Sequence, residues 1–215
     1  MNNSIIEMLP KDLKVVKSLK ELSYDSFNSE YMTESEITAI DFDKVKDSYI
    51  INNLESVNPN PKSNDALYIS DNKTWTFIEF KNGIIDDKVN FELNKKIYDS
   101  LSILFDIDFT NSNIEFINCI SFTRKNMNYM LVYNKEKNKS INTTNHKAGE
   151  KRQKNKVSLQ NSESRDYLGK SISRRAGREF IKFGLDQFKG YFFNEVFTYT
   201  KEEFENEFVK MHKDN

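Results

Sequence analysis

The run Trp75-Thr76-Phe77-Ile78-Glu79-Phe80-Lys81 constrains this chain more than any other stretch. Side chains alternate along a strand, so Trp75, Phe77, Glu79 and Lys81 share one face while Thr76, Ile78 and Phe80 share the other. Both faces are mainly apolar, which suits a strand in the middle of a sheet covered on both sides. The charges come only at its C-terminal end, as if the strand emerges there into a cleft. A second run, Asp65-Ala66-Leu67-Tyr68-Ile69, is apolar apart from the acid at its start. The two read as a hairpin turning at Ser70-Asp71-Asn72-Lys73.

Helical signals surround this pair, so the expected fold is α/β, with a mixed central sheet flanked by helices. Residues 1–32 read as an N-terminal helical segment, amphipathic around Leu13, Val15, Val16, Leu19 and Leu22. Thr33-Glu34-Ser35-Glu36 fits a capping box and opens a predicted helix carrying Ile37 and Ile40 on one face and Phe42 and Val45 on a neighbouring one. The stretch 58–64, with two prolines among asparagines, is a turn-rich break. Beyond Asn82-Gly83, the spacing of Leu93, Ile97, Leu101 and Leu104 predicts a helix over 90–106. Strands are predicted over 114–122 and, after a turn at Arg124-Lys125-Asn126, over 127–133, closing a core of 33–133. Cys119, flanked by Ile117, Ile120 and Phe122, reads as a small core residue.

Residues 134–165 are rich in Lys, Asn and Ser and poor in apolar residues, the composition of a flexible polar loop. The remainder, 166–215, reads as a basic helix to about Asp186, a strand over 191–199, and a helix opened by a second capping box, Thr200-Lys201-Glu202-Glu203. This strand and helix extend the core and pack on it.

At 215 residues the chain has room for one sizeable domain with an appendage. Its 32 Lys and Arg nearly cancel its 33 Asp and Glu, so overall charge selects no partner. A single cysteine excludes an internal disulfide and a thiolate zinc cluster, and two histidines argue against a His-rich metal site. The N-terminus lacks the pattern of a signal peptide, and no window approaches the roughly 18 apolar residues of a membrane span. A cytoplasmic protein without membrane association is expected.

Two readings of Asp65, Glu79 and Lys81 compete. Ionised groups near a core are costly unless paired or metal-bound. A salt bridge of Lys81 with Asp65 or Glu79, or a strand end reaching water, accounts for them without any activity. Alternatively, two carboxylates and a lysine are the parts needed to hold a divalent cation and activate a water. The discriminator is geometric: convergence of the three within a few ångströms in an open cleft favours the metal site, whereas separation or burial in salt bridges favours a protein that only binds.

The placement of these residues resembles the PD-(D/E)XK nuclease superfamily, with Asp65 as the first acid and Glu79-Phe80-Lys81 as the (D/E)-x-K. The family core runs helix, three strands, helix, strand, and the resemblance covers roughly residues 33–133. It implies a restriction-endonuclease-like fold, with 48–54 as the best stretch for the first core strand. It also implies Mg²⁺-dependent phosphodiester hydrolysis, with Mn²⁺ as a substitute ion. Asp65, Glu79 and the Phe80 carbonyl would bind the metal, and Lys81 would handle the attacking water. The family's first-helix acid maps to Glu36, with Glu34 as the fallback, and Lys95 or Lys96 on the following helix would face substrate.

Charge is unevenly distributed. Between His146 and Lys182 there are eleven Lys or Arg against four acids, an excess of seven positive charges. Arg174, Arg175 and Arg178 would form one patch on a helix, able to neutralise phosphates. A solvated helix face explains such a run equally simply, and Tyr167 and Phe180 nearby suit either base stacking or a core. His146 is not read as catalytic. The leading expectation is therefore a DNA endonuclease, of the kind used in phage defence or by a mobile element. RNA is the other polymer this chemistry suits. The alternative is a non-catalytic interaction protein, an immunity or inhibitor protein that keeps the fold. A homodimer or a protein partner is compatible with either.

Overall fold

In the computed structural model the described residues are 1, 3–54, 58–139 and 181–213. They form α1 (Asn3–Met8), β1 (Val16–Ser18), α2 (Leu19–Leu22), a short hairpin of β2 (Tyr24–Asp25) and β3 (Glu30–Tyr31), β4 (Thr38–Asp41) and α3 (Phe42–Asn53). There follow β5 (Ala66–Ile69), β6 (Trp75–Lys81), α4 (Asp87–Asp106), α5 (Ile120–Asn126), β7 (Met127–Tyr133) and β8 (Glu195–Thr200). A C-terminal helix runs from Lys201, with a π-helical stretch at Phe204–Val209.

Six strands join in one mixed sheet, in the order β1-β4-β5-β6-β7-β8. Neighbours from β1 to β6 are antiparallel, whereas β6, β7 and β8 run parallel. β6 is central, and all but its last residue are buried, as two apolar faces require. On the face of Trp75 and Phe77 the sheet packs against Phe42 and Val45 of α3 and Leu93, Ile97, Leu101 and Leu104 of α4. On the other face Ala66, Tyr68, Ile78, Phe80 and Met130 meet Leu19 of α2 and Phe204, Phe208 and Val209 of the C-terminal helix. The molecule is thus a mixed α/β structure with helices on both sides of the sheet. None of the described helices is long and apolar enough to cross a membrane.

Several local expectations are overturned. Thr33-Glu34-Ser35-Glu36 caps no helix: the chain has no regular secondary structure there and continues into β4, whose Ala39 and Ile40 are both fully buried. Pairing with β1 and β5 outweighs a local capping preference, and the Thr33 hydroxyl donates instead to Glu205 on the C-terminal helix. The helix begins only at Phe42, where the Asp41 carboxylate accepts from the Lys44 amide, so 48–54 is helical through Asn53 and not the first core strand. The segment around Leu13–Leu22 is split into a 3₁₀ turn, β1 and α2, and the capping box there belongs to Ser18 and Glu21.

The strand expected over 114–122 is absent. β7 already has β6 and β8 as neighbours, so residues 120–126, including the expected turn, form α5 instead. Cys119 caps that helix and is only half-buried, not a core residue. The last strand is shorter than expected and starts at Glu195, while the Thr200 capping box forms as read. Of the polar loop and basic segment, all but residues 134–139 and 181–186 lie outside the described residues, including His146, Tyr167, Arg174, Arg175, Arg178 and Phe180. Helix does not continue to Asp186: Gly184 takes a φ of 68°, and Leu185–Phe188 form a single 3₁₀ turn.

Candidate active site

The antiparallel register of β5 and β6 pairs Ala66 with Ile78, which brings Asp65 alongside Glu79 on the α4 face of the sheet. Asp65 is held on both sides. Its carbonyl accepts from the Phe42 amide at the start of α3, and its Oδ2 accepts from the Phe80 amide at 2.7 Å. Glu79 has no exposed surface, and Lys81, at the strand's end, reaches solvent with its Nζ 3.9 Å from Glu79 Oε1. The strand therefore emerges only at its last residue, Lys81, two positions after its charges begin.

The Lys96 ammonium lies between the two acids. It donates to Glu79 Oε1 and Oε2 at 2.7 and 2.8 Å and to Asp65 Oδ1 at 3.1 Å. Lys96 sits one position before Ile97 of the buried stripe of α4, and this offset carries its side chain over the end of β6. Lys95 points elsewhere and pairs with Asp99 on its own helix.

Burial, with the Asp65 carboxylate beside it, pushes the Glu79 carboxyl up to about 8, against the pull of Lys96 and Lys81. Burial works against the Lys96 charge, but Asp65 and Glu79 outweigh it and hold that ammonium above the ordinary lysine range. The fully buried Tyr129 phenol on β7 is pushed well up by burial and then by Glu79 and Asp65, and its hydroxyl has no hydrogen-bond partner among the described residues.

Asp65, Glu79, Phe80, Lys81 and Lys96 line an open cleft of about 440 Å³ together with Asp43, Asn82 and residues of the β2–β3 hairpin. Asp43, in the first turn of α3, accepts from the Ser63 hydroxyl and joins Asp65, Glu79 and the hairpin's Asp25 as carboxylates of the cleft. Glu36 does not line it. It is exposed ahead of β4, and Glu34 is exposed and pairs with Lys20. The correction follows from the misplaced helix start: Asp41-Phe42-Asp43-Lys44, with Asp41 as the cap and Phe42 and Val45 facing inward, was the signal for Asp43. The structure thus brings Asp65, Glu79, Phe80, Lys81 and Lys96 together and leaves Glu36 and Lys95 outside.

Both halves of the discriminator are met. The acids and Lys81 converge in an open cleft, and the acids are also ion-paired, to Lys96. Among the described residues no three or more His, Cys, Asp or Glu side chains are grouped so as to hold a metal by themselves. The arrangement does accept a cation, since both Glu79 oxygens and one Asp65 oxygen converge on the Lys96 ammonium. Two carboxylates, a backbone carbonyl and waters would suffice for Mg²⁺, which commonly keeps several waters. In class, then, this is a mixed α/β fold with an acid pair and two lysines at a strand-end cleft. Comparison with protein-family models, characterised proteins and solved structures found no match.

Proposed function

We propose that the chain is a Mg²⁺-dependent nuclease of PD-(D/E)XK type, acting on DNA in preference to RNA. The observation that carries this reading is the convergence of Asp65 and Glu79 on one cationic position, with Lys81 at the mouth of the same cleft. The sheet adds support. β4, β5 and β6 form an antiparallel series, and α4 and α5 then lead to β7 parallel to β6, a strand order close to that expected of the family. One departure is that α3 lies between β4 and β5 and not ahead of the first strand. Asp43 on α3 nevertheless reaches the cleft, where the resemblance puts a helix-borne acid.

Asp65, Glu79 and the Phe80 carbonyl would hold the cation. When bound it supplies a water of lowered pKa and neutralises charge on the phosphoryl group. Lys81 would orient the attacking water, whose oxygen bonds to phosphorus as the P–O bond to the leaving group breaks, and would offset charge on the non-bridging oxygens. Lys96, relieved of neutralising the acids, then has phosphate as its remaining anionic partner. Asp65 stays oriented throughout by the Phe80 amide.

A second reading is favoured by one observation, the Lys96 ion pairs, which satisfy both acids without any metal. On that reading the chain is a non-catalytic interaction protein with a structural ion-pair network. Plasmid nicking with Mg²⁺ or Mn²⁺ against an EDTA control separates the two. Wild type should nick only with metal, and Glu79→Ala and Lys81→Ala should each abolish nicking while remaining folded by circular dichroism. Undiminished nicking by both variants would sink the nuclease assignment.

A further inference from the structure

The hairpin that forms one wall of the cleft carries aromatic surface that the fold leaves uncovered. Phe27, at its tip, is 94% exposed, although it lines the same cleft as Asp65, Glu79, Lys81 and Lys96. Behind it Tyr24 and Tyr31 pair with ring centroids 4.8 Å apart, both partly exposed, and Lys20 lies over the Tyr31 ring. An apolar ring at that exposure gains nothing for folding, since it buries almost no area.

The tip is nevertheless held firmly. Asn82, the residue directly after Lys81, is buried and donates from Nδ2 to Asp25 and to Glu30 at 3.0 Å each, one on each strand of the hairpin. Its Oδ1 accepts from Asn134, so every polar atom of this side chain is used. The Asp25 carboxylate also accepts from the Phe27 and Asn28 amides, which shapes the turn, and Lys201 pairs with Glu30 from outside. The backbone that carries Phe27 is thus tied to the end of the strand that carries Glu79 and Lys81, while its ring stays free.

Charge narrows what this wall can bind. The lysines beside the hairpin are spent on Glu34 and Glu30, and Asp25 stands within it, so it offers no net positive charge to a phosphate backbone. What it offers is aromatic surface. In a duplex the faces of the bases are covered by their neighbours, whereas an unpaired base has a free face that stacks on aromatic side chains whatever its identity.

We infer that Phe27, with the Tyr24–Tyr31 pair behind it, is a stacking subsite for an unpaired nucleobase next to the phosphate that enters the acid–lysine cleft. The inference rests on the nuclease reading and deepens it: the substrate has a single-stranded or splayed segment at the point of attack.

The test uses a single-stranded oligonucleotide carrying 2-aminopurine, with Ca²⁺ in place of Mg²⁺, and a duplex of the same sequence as comparison. Wild type should quench the fluorophore and bind the single strand more tightly than the duplex. Phe27→Ala should weaken single-strand binding about tenfold, within the range that loss of one base–aromatic stack produces. Phe27→Trp should restore it, which separates stacking from any disturbance of the hairpin. Single-strand binding by Phe27→Ala equal to wild type, or wild-type binding without quenching, would overturn the inference. Mg²⁺-dependent cleavage of the same oligonucleotide by wild type and Glu79→Ala judges the nuclease reading separately.

Discussion

The two walls of the cleft are built on opposite terms. On the sheet side Glu79 is fully buried and Lys96 is held by three contacts to two carboxylates. On the hairpin side the tip ring is almost wholly exposed, and the fixing is done beneath it by Asn82. The first wall is held by the cost of stranding a charge: remove one group and another is left unpaired in a low-dielectric setting. The second is held by neutral–ionic hydrogen bonds that leave its outer surface free. A change in the sheet wall should therefore register as lost stability, and a change at the hairpin tip as lost binding.

The sharpest way to break that contrast is Lys96→Met, which leaves Asp65 and Glu79 facing each other. It should lower stability by about 3–5 kcal/mol in urea unfolding above pH 8, where both acids are ionised, the usual cost of removing one partner of a buried pair. A loss within experimental error would mean that the acids were never held by this lysine.

The next effect is one of pH, in metal-free protein. The Glu79 carboxyl is raised from its ordinary 4.5 to about 8 by burial and by Asp65. Between those values the folded chain keeps a proton that the unfolded chain has released, so stability should fall as pH rises through that window. Glu79→Gln has no proton to lose and should flatten the slope. Equal slopes in the two proteins would show that Lys96 keeps Glu79 ionised throughout.

Asn82→Ala removes the hairpin's anchor, and with ionised acceptors a loss of about 1.5–3 kcal/mol is expected, with faster hydrogen exchange at the β2–β3 amides. Unchanged exchange would mean that the hairpin is held by something other than Asn82. The smallest change should come from Lys95→Ala, which removes a helical i,i+4 pair and costs about 0.5 kcal/mol. Adjacent lysines of one helix would then differ several-fold in their effect on stability.

What was legible in the chain follows the same division. β6 was readable to the residue because seven positions carry two apolar faces; α4 was readable from Asn90 to its end because Leu93, Ile97, Leu101 and Leu104 form one stripe, while its first turn, from Asp87 behind the Asp86 cap, lies ahead of that stripe. The two Thr capping motifs show where local reading stops. Thr200 caps a helix, while Thr33, in an equally good local pattern, is drawn into the approach to a strand because Ala39 and Ile40 are needed in the sheet. That one misplaced helix start assigned the helix-borne acid to Glu36 and hid Asp43. Lys96 was legible as a lysine near the site, but not as the counter-ion of both acids, because its contacts depend on where α4 crosses the end of β6. The tip of the hairpin was not legible at all: Tyr24, Phe27 and Tyr31 have no periodicity that separates exposed aromatics from core ones.

On the proposed nuclease reading, Asp65 and Glu79 form a cation site in which Lys96 holds the place of a metal. Mn²⁺ binding, followed by electron paramagnetic resonance, tests it most directly. Wild type should bind Mn²⁺, Glu79→Gln should lose that binding, and Lys96→Met should bind more tightly than wild type, since the competing ammonium is gone. Mn²⁺ binding that is absent from wild type and from Lys96→Met alike, or that survives Glu79→Gln unchanged, would contradict it.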